Sequence, residues 1–307
     1  MQSLWMLFAS FMFAIMGVCV KLASETFSTS EIVMYRGLIG VAIMYCVLRR
    51  HGDSFRTSMP GQHLWRGVVG VVALWLWFYS IAILPLATAV TLNYTAPIWI
   101  ALIMFGAGWL RKKQHVEWPL AAAIGLSFVG VTLLLQPVFG SRQIGAALMA
   151  LMSGMLSALA YLQVRKLGML GEPESRVVFY FSCVNLLAGL FGNVVAGGVG
   201  PVIWHGFDSA RAVMLILGVG VSATAAQMAM TRAYRLGNTL VVANLQYTGI
   251  AFSSVWGVLI FNDVFDWHSW TGMGVILVSG VAATFYNNRN SAREPVVAAL
   301  DPIATEA

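Results

Sequence analysis

Apolar stretches of about twenty residues, separated by short polar or glycine-rich pieces, run along almost the whole chain, and each is long enough to cross a bilayer as a helix. Ten spans are predicted. They are Ser3 to Leu22, Glu31 to Leu48, His63 to Leu84, Leu86 to Leu110, Trp118 to Gln136, Ile144 to Val164, Arg176 to Ala196, Ala210 to Ala233, Thr239 to Phe261 and Trp267 to Tyr286. Gly52-Asp53-Ser54, Gly140-Ser141, Gly171-Glu172-Pro173, Gly197-Gly198 and Gly237-Asn238 supply turns between them. Positions 287–307 are polar and then rich in Ala, Pro and Glu, which reads as a disordered tail.

One stretch is not uniformly apolar. Pro85 to Leu110 carries no charge, yet Thr88, Thr91, Asn93 and Thr95 crowd one half and Pro97 falls near its middle. A mid-helix proline removes a backbone hydrogen bond and kinks the helix. Lipid tolerates that only where neighbours or water satisfy the freed backbone. The stretch therefore reads as a pathway-lining helix, with Pro97 as a hinge.

Ten spans divide into two fives, and because five is odd a second copy would lie upside down relative to the first. Traces of repetition are present. Ala82-x5-Thr88-x-Val90-x2-Asn93 reappears as Ala233-x5-Thr239-x-Val241-x2-Asn244, Gly130-Val131 as Gly280-Val281, and Lys21-Leu22 as Lys166-Leu167. In that register Thr248 stands where Pro97 stands, so the kink is expected in the first copy only. The fold class is an all-α integral membrane protein, with ten transmembrane helices as two inverted-topology five-helix repeats at 1–136 and 143–286.

Composition agrees. Of 307 residues 59% are hydrophobic and only 10% charged, against about 25% charged in soluble domains. The net charge of +6 reflects sidedness rather than a nucleic-acid partner. Fourteen of the 18 Lys and Arg, among them Arg56, Arg66, Arg111, Lys112, Lys113 and Arg235, fall in the even-numbered loops and the tail; three, Lys21, Arg142 and Arg211, fall in the odd-numbered loops. Both termini are therefore expected in the cytoplasm. Cys19, Cys46 and Cys183 lie in apolar spans and suggest no disulfide framework. The start, MQSLWMLF, has no basic n-region and reads as a permanent first span.

Several segments carry a family likeness: Tyr35-Arg36-Gly37, Asn93-x3-Pro97, Leu245-Gln246-Tyr247, and the aromatic–small–acidic turn Phe261-Asn262-Asp263. The first half has Leu110-Arg111-Lys112 at the last position, without the acid. With the doubled five-helix plan, these resemble the drug/metabolite transporter superfamily in its EamA-type ten-helix branch, from Leu4 to about Tyr286. The resemblance implies a carrier with a central cavity and leaves the substrate open.

Arg36 is the sharpest single residue. A charge at its depth costs roughly 2.5–3.5 kcal/mol on insertion scales and requires a partner or a wet cavity. It reads either as an anchor for a substrate carboxylate or phosphate or as a packing arginine paired with Glu31 or a carbonyl. Trp75 and Tyr79, four apart on one helix face, read as a stacking surface or as packing aromatics; Trp99 and Trp256 are weaker candidates of the same kind. Asn93, Thr95, Gln227, Thr231, Asn244, Gln246 and Tyr247 need polar company in hydrocarbon, as interhelical bonds or as the lining of a polar cavity. The stripes Ala146, Ala150, Gly154, Ala158 and Ala225, Ala229, Ala233 suit close helix packing.

No phosphate-binding P-loop, HExxH or Cys/His cluster is present, and no Asp or Glu lies deeper in a span than Glu31. The chain is therefore not expected to be an enzyme, and no cofactor or metal is expected. The expected reading is a plasma-membrane secondary transporter, in the inner membrane of a bacterium. It would move a small metabolite, amino acid-like or otherwise zwitterionic or neutral and aromatic, by alternating access, as an exporter, and act as a monomer or homodimer. Import of a larger cofactor-like compound, a flavin or S-adenosylmethionine, is the alternative within transport; a membrane scaffold or an intramembrane enzyme is the alternative outside it.

Overall fold

A computed structural model describes residues 4–100, 102–103, 126, 129, 141–197, 205–237, 242, 245–268, 270–275 and 278. Eight helices organise them: α1 (Leu4–Ala23), α2 (Thr29–His51), α3 (Pro60–Ile83), α4 (Leu86–Asn93), α5 (Ser141–Met169), α6 (Glu174–Gly197), α7 (Ala210–Leu236) and α8 (Thr248–Phe261). There is no strand among the described residues. Six helices, α1, α2, α3, α5, α6 and α7, are long and apolar enough to cross a membrane. Nearly all of the predicted span Trp118 to Gln136, the end of Leu86 to Leu110 and most of Trp267 to Tyr286 lie outside the described residues.

Local chemistry sets the helix ends. Ser28 caps α2 through Glu31 N (3.2 Å) while the Glu31 carboxylate accepts from Ser28 N (2.8 Å), a reciprocal capping box. Gly52 closes α2 in the left-handed region at φ 71°, and Pro60 opens α3, where its missing N–H costs nothing. Asn262, at φ 51°, caps α8. The Phe261-Asn262-Asp263 turn is thus a helix stop that needs a residue tolerant of positive φ.

The stretch after Pro85 differs from expectation in kind: its helix stops rather than bends. α4 ends at Asn93, Tyr94 and Thr95 form a turn, and helix resumes over 96–100. Pro97 offers no N–H to the Asn93 carbonyl, so the ladder fails one turn before the ring. The Thr95 hydroxyl donates to the Leu92 carbonyl (2.8 Å) at the break. The second half also breaks, contrary to the reading that only the first would. A turn at Tyr247 precedes α8, and the Thr248 hydroxyl donates to the Leu245 carbonyl (2.7 Å). The breaks share a tetrapeptide, Leu92-Asn93-Tyr94-Thr95 and Leu245-Gln246-Tyr247-Thr248.

Packing pairs elements from the two halves. α2 lies along α6, α1 along α7, α3 along α5, and α4 meets α8. The α2–α6 pair touches backbone to backbone. A Cβ at Gly37 would run into the Leu186 backbone, and one at Gly189 into the Met34 backbone, so each helix supplies one glycine at the crossing. Gly154 of α5 sits against the Asn93 carbonyl in the same way.

Two buried carboxylates tie the halves at opposite ends of α2. At its N-terminal end, Glu31 accepts from His205 N (2.8 Å), and its Oε2 lies 2.8 Å from His205 Nδ1. The expected Glu31–Arg36 pair is not formed; capping and His205 occupy the carboxylate. Beyond the C-terminal end of α2, Glu172 accepts from the Thr57 hydroxyl and from Arg176 Nη1 (2.8 Å), and lies 3.6 Å from His63 Nε2. Gln163 and Gln62 hydrogen bond beside it.

Candidate functional site

α3 lies among α1, α5 and α6, and one of its faces carries Arg66, Gly70, Ala73, Leu74 and Trp77 at helical spacing. These residues, with Phe13 from α1, Asn93 and Tyr94 at the α4 break, Tyr161 from α5, Phe181 from α6 and Gln227 from α7, line a cavity inside the bundle. Its volume is about 40 Å³, room for only a few waters; ligand pockets run to several hundred Å³. A metabolite therefore enters only when the helices part.

Arg66 is only 3% exposed. Its guanidinium carbon lies 3.9 Å from the Phe181 ring centroid, a cation–π contact. Its Nη2 donates to Gln227 Oε1 at 3.4 Å, and Nε and Nη1 have no partner. Arg36, 4% exposed, reaches the same ring at 5.2 Å with its Nε unpartnered. Among the described residues, neither arginine has an ion-pair partner.

Asn93 Nδ2 donates to Ser153 Oγ (2.7 Å), which donates to the Ala73 carbonyl (2.6 Å), joining the α4 break to α5 and α3. Gln246 Nε2 donates to Tyr161 Oη (3.3 Å), linking the second break to the cavity wall. Tyr161 stacks on Tyr234 at 5.6 Å. Tyr247 is buried with its hydroxyl unpartnered.

The structure therefore brings Asn93 and Gln227 into the wall, with Gln246 one hydrogen bond behind it. Arg36 stands behind Phe181. Trp75 packs on Gly192 of α6, and Tyr79 is 38% exposed on the outer face. Trp99 packs with Ala96, Ile100 and Ala158 and is not among the residues that line the cavity. Pro97 sits in the turn after the break, and Asn244 lies outside the described residues.

Sequence reasoning missed Arg66, Trp77, Tyr94, Tyr161 and Phe181. Arg66 was counted as a loop charge, although it lies inside α3 (Pro60–Ile83), much as Arg36 lies inside α2 (Thr29–His51). Had Arg66 anchored the helix face, steps of four, seven and eleven would have selected Gly70, Ala73 and Trp77 and turned Trp75 and Tyr79 outward. A larger groove of about 530 Å³ lies between α8 and the helical turns that follow it, lined by Ile250, Val255, Leu259, Trp270 and Met273. Its apolar walls offer little to orient a polar metabolite.

Comparison with known proteins supplies the context. Residues 1–136 match the EamA-like transporter family. The chain is 30% identical over 279 residues to the pseudopaline exporter of Pseudomonas aeruginosa, covering 89% of this chain and 92% of that protein. It is 27% identical over 305 residues to a riboflavin transporter of Vibrio cholerae, covering 96% and 97%. A crystal structure that is 15% identical in sequence superposes with a TM-score of 0.67 over 92% of this chain and 98% of that one, a shared fold.

Proposed function

This chain belongs to the EamA-like transporter family of the drug/metabolite transporter superfamily, a multi-pass membrane transporter of metabolites, and from that premise we propose that it exports a small amino acid-like or aromatic metabolite by alternating access. The observation that carries this reading is a cavity lined from both halves and held nearly shut between two carboxylate latches. The membrane is the bacterial inner membrane, with both termini cytoplasmic. The substrate enters past one latch, contacts Arg66, Asn93, Gln227 and the aromatic walls, and leaves past the other.

The ten helices form two inverted repeats, 1–136 and 143–286, about an axis through the α2–α6 and α4–α8 contacts. Packing supports this: a two-fold exchanging the halves turns the α1–α7 contact into the α5–α3 contact, and both are among the most extensive between the described helices. The paired breaks at Tyr94 and Tyr247 support it locally, and discontinuous helices at the midplane are a recurrent way to build such sites. Pro97 serves as the hinge of the first. Export is favoured by the relative named an exporter; flavin import is the second reading, favoured by the aromatic cavity and by the relative named a riboflavin transporter.

The test is counterflow in proteoliposomes with labelled aromatic amino acids and riboflavin. Saturable exchange is expected, reduced about tenfold or more in Gln227→Ala. Folded protein that exchanges none of the panel would remove the transport reading for these substrates.

A further inference from the structure

We propose that the cavity binds an organic oxyanion, a metabolite whose carboxylate or equivalent acidic oxygen group meets Arg66 while an apolar ring or chain lies against Trp77, Phe13 and Tyr94. This deepens the transporter reading and rests on it.

Charge balance is the first argument. Arg36 and Arg66 are both buried against the Phe181 ring, and none of the ion pairs among the described residues involves either. Leaving like charges buried without a counter-charge is costly, and a cavity of about 40 Å³ holds too little water to solvate them. An anion arriving at Arg66 supplies what the fold lacks.

The unpartnered atoms are the second. Among the cavity-lining residues, the buried polar atoms without a partner are Arg66 Nε, Arg66 Nη1 and Trp77 Nε1. All are donors: guanidinium and indole nitrogens cannot accept. A wall whose open valences are N–H groups selects an acceptor-rich ligand and repels a cation.

Preorganisation is the third. A Cβ at Gly70 would collide with Arg66 Nη1. The guanidinium therefore lies over the next turn of α3, deeper than its own Cα, in space that exists because position 70 is glycine. Phe181 holds the guanidinium face and Gln227 holds Nη2. Orientation fixed before binding lowers the entropic cost of binding.

The test uses the full-length protein in detergent and three matched probes that differ in one group, indole-3-propionate, its primary amide and tryptamine, together with phenyl phosphate as a second oxyanion. Indole-3-propionate is expected to raise the thermal midpoint, and the amide and tryptamine to leave it unmoved at equal concentration. A response to phenyl phosphate but not to the carboxylate supports the oxyanion and assigns it to phosphate esters. Arg66→Gln is expected to weaken acid binding roughly ten- to hundredfold without lowering the ligand-free midpoint, because it removes an unpaired buried charge. Arg66→Lys retains the preference for acid over amide, and Trp77→Phe weakens the acid alone.

Equal response to acid and amide, unchanged acid affinity in Arg66→Gln, or no response to either acid overturns the proposal. Counterflow separates this from the reading beneath it. Exchange of neutral metabolites with no acid preference leaves a transporter without the oxyanion site, whereas absence of all flux removes transport whatever binds.

Discussion

Glu172 shows how one side chain can tie the two halves of this molecule together at one end of α2. Burial alone would push its carboxyl up, but the Thr57 hydroxyl, the Arg176 guanidinium and neighbouring His63 outweigh burial and hold it below the ordinary carboxylate value. A carboxyl depressed in the folded state contributes stability that is fully present above its unfolded value, near pH 4.5, and is lost as pH falls through the lower folded value. The unfolding midpoint of the wild type should therefore hold from pH 7 to about pH 5 and fall at lower pH. Glu172→Gln should lose part of the neutral-pH midpoint and show a shallower acid limb; parallel wild-type and mutant curves would show that the carboxylate does not hold the Thr57 loop. Arg66 teaches a related lesson. Its burial was invisible to a count that assigned every basic residue near a span end to the loop, because such counting has no term for a long side chain folded back along its own helix over a glycine.

At the level of elements, the six long spans among the described residues were legible because a helix in lipid must satisfy its own backbone, and that constraint writes a long apolar run into the sequence. Ser3 to Leu22 and Ala210 to Ala233 agree with α1 and α7 to within a few residues. The breaks were legible only in part. Pro97 announced the first, though as a bend, since a proline is compatible with either outcome until its neighbours are known. Tyr247 had no proline to announce it, and the 151-residue register placed Thr248 opposite Pro97, two positions out of step with the Leu-Asn/Gln-Tyr-Thr repeat. Pro97→Ala restores an N–H for the Asn93 carbonyl and should extend α4 through the turn. Counterflow is expected to slow severalfold with substrate affinity changed less, the signature of a step in the conformational cycle. An unaltered rate would remove the hinge role from Pro97.

For the whole molecule, the charge asymmetry and the packing make a joint prediction about sidedness. Arg56 and Arg235 are exposed at the ends assigned to the cytoplasm, and Glu25 is exposed at the opposite end. In a Cys46→Ser background, an impermeant maleimide applied to intact cells should label Glu25→Cys and spare Arg56→Cys and Arg235→Cys. The reverse pattern would invert the topology. The cavity itself was the least legible level, because its wall joins one face of α3 to one or a few residues each from α1, α4, α5, α6 and α7, and no local pattern in any one helix records the positions of the others.

The two carboxylate latches have a consequence for the cell's energy economy. Glu31 belongs to the first half and grips a loop of the second; Glu172 belongs to the second and grips a loop of the first. The halves meet between them at Gly37 and Gly189, backbone against backbone, with no side chain to cushion the contact. If the carrier alternates as proposed, rocking about such a fulcrum opens one latch while the other stays closed. An aqueous path open at both ends would short-circuit the ion gradients that the cell maintains across its membrane. In the proposed cycle, crossed grips on one fulcrum oppose that state, because the movement that opens one end leaves the other latched.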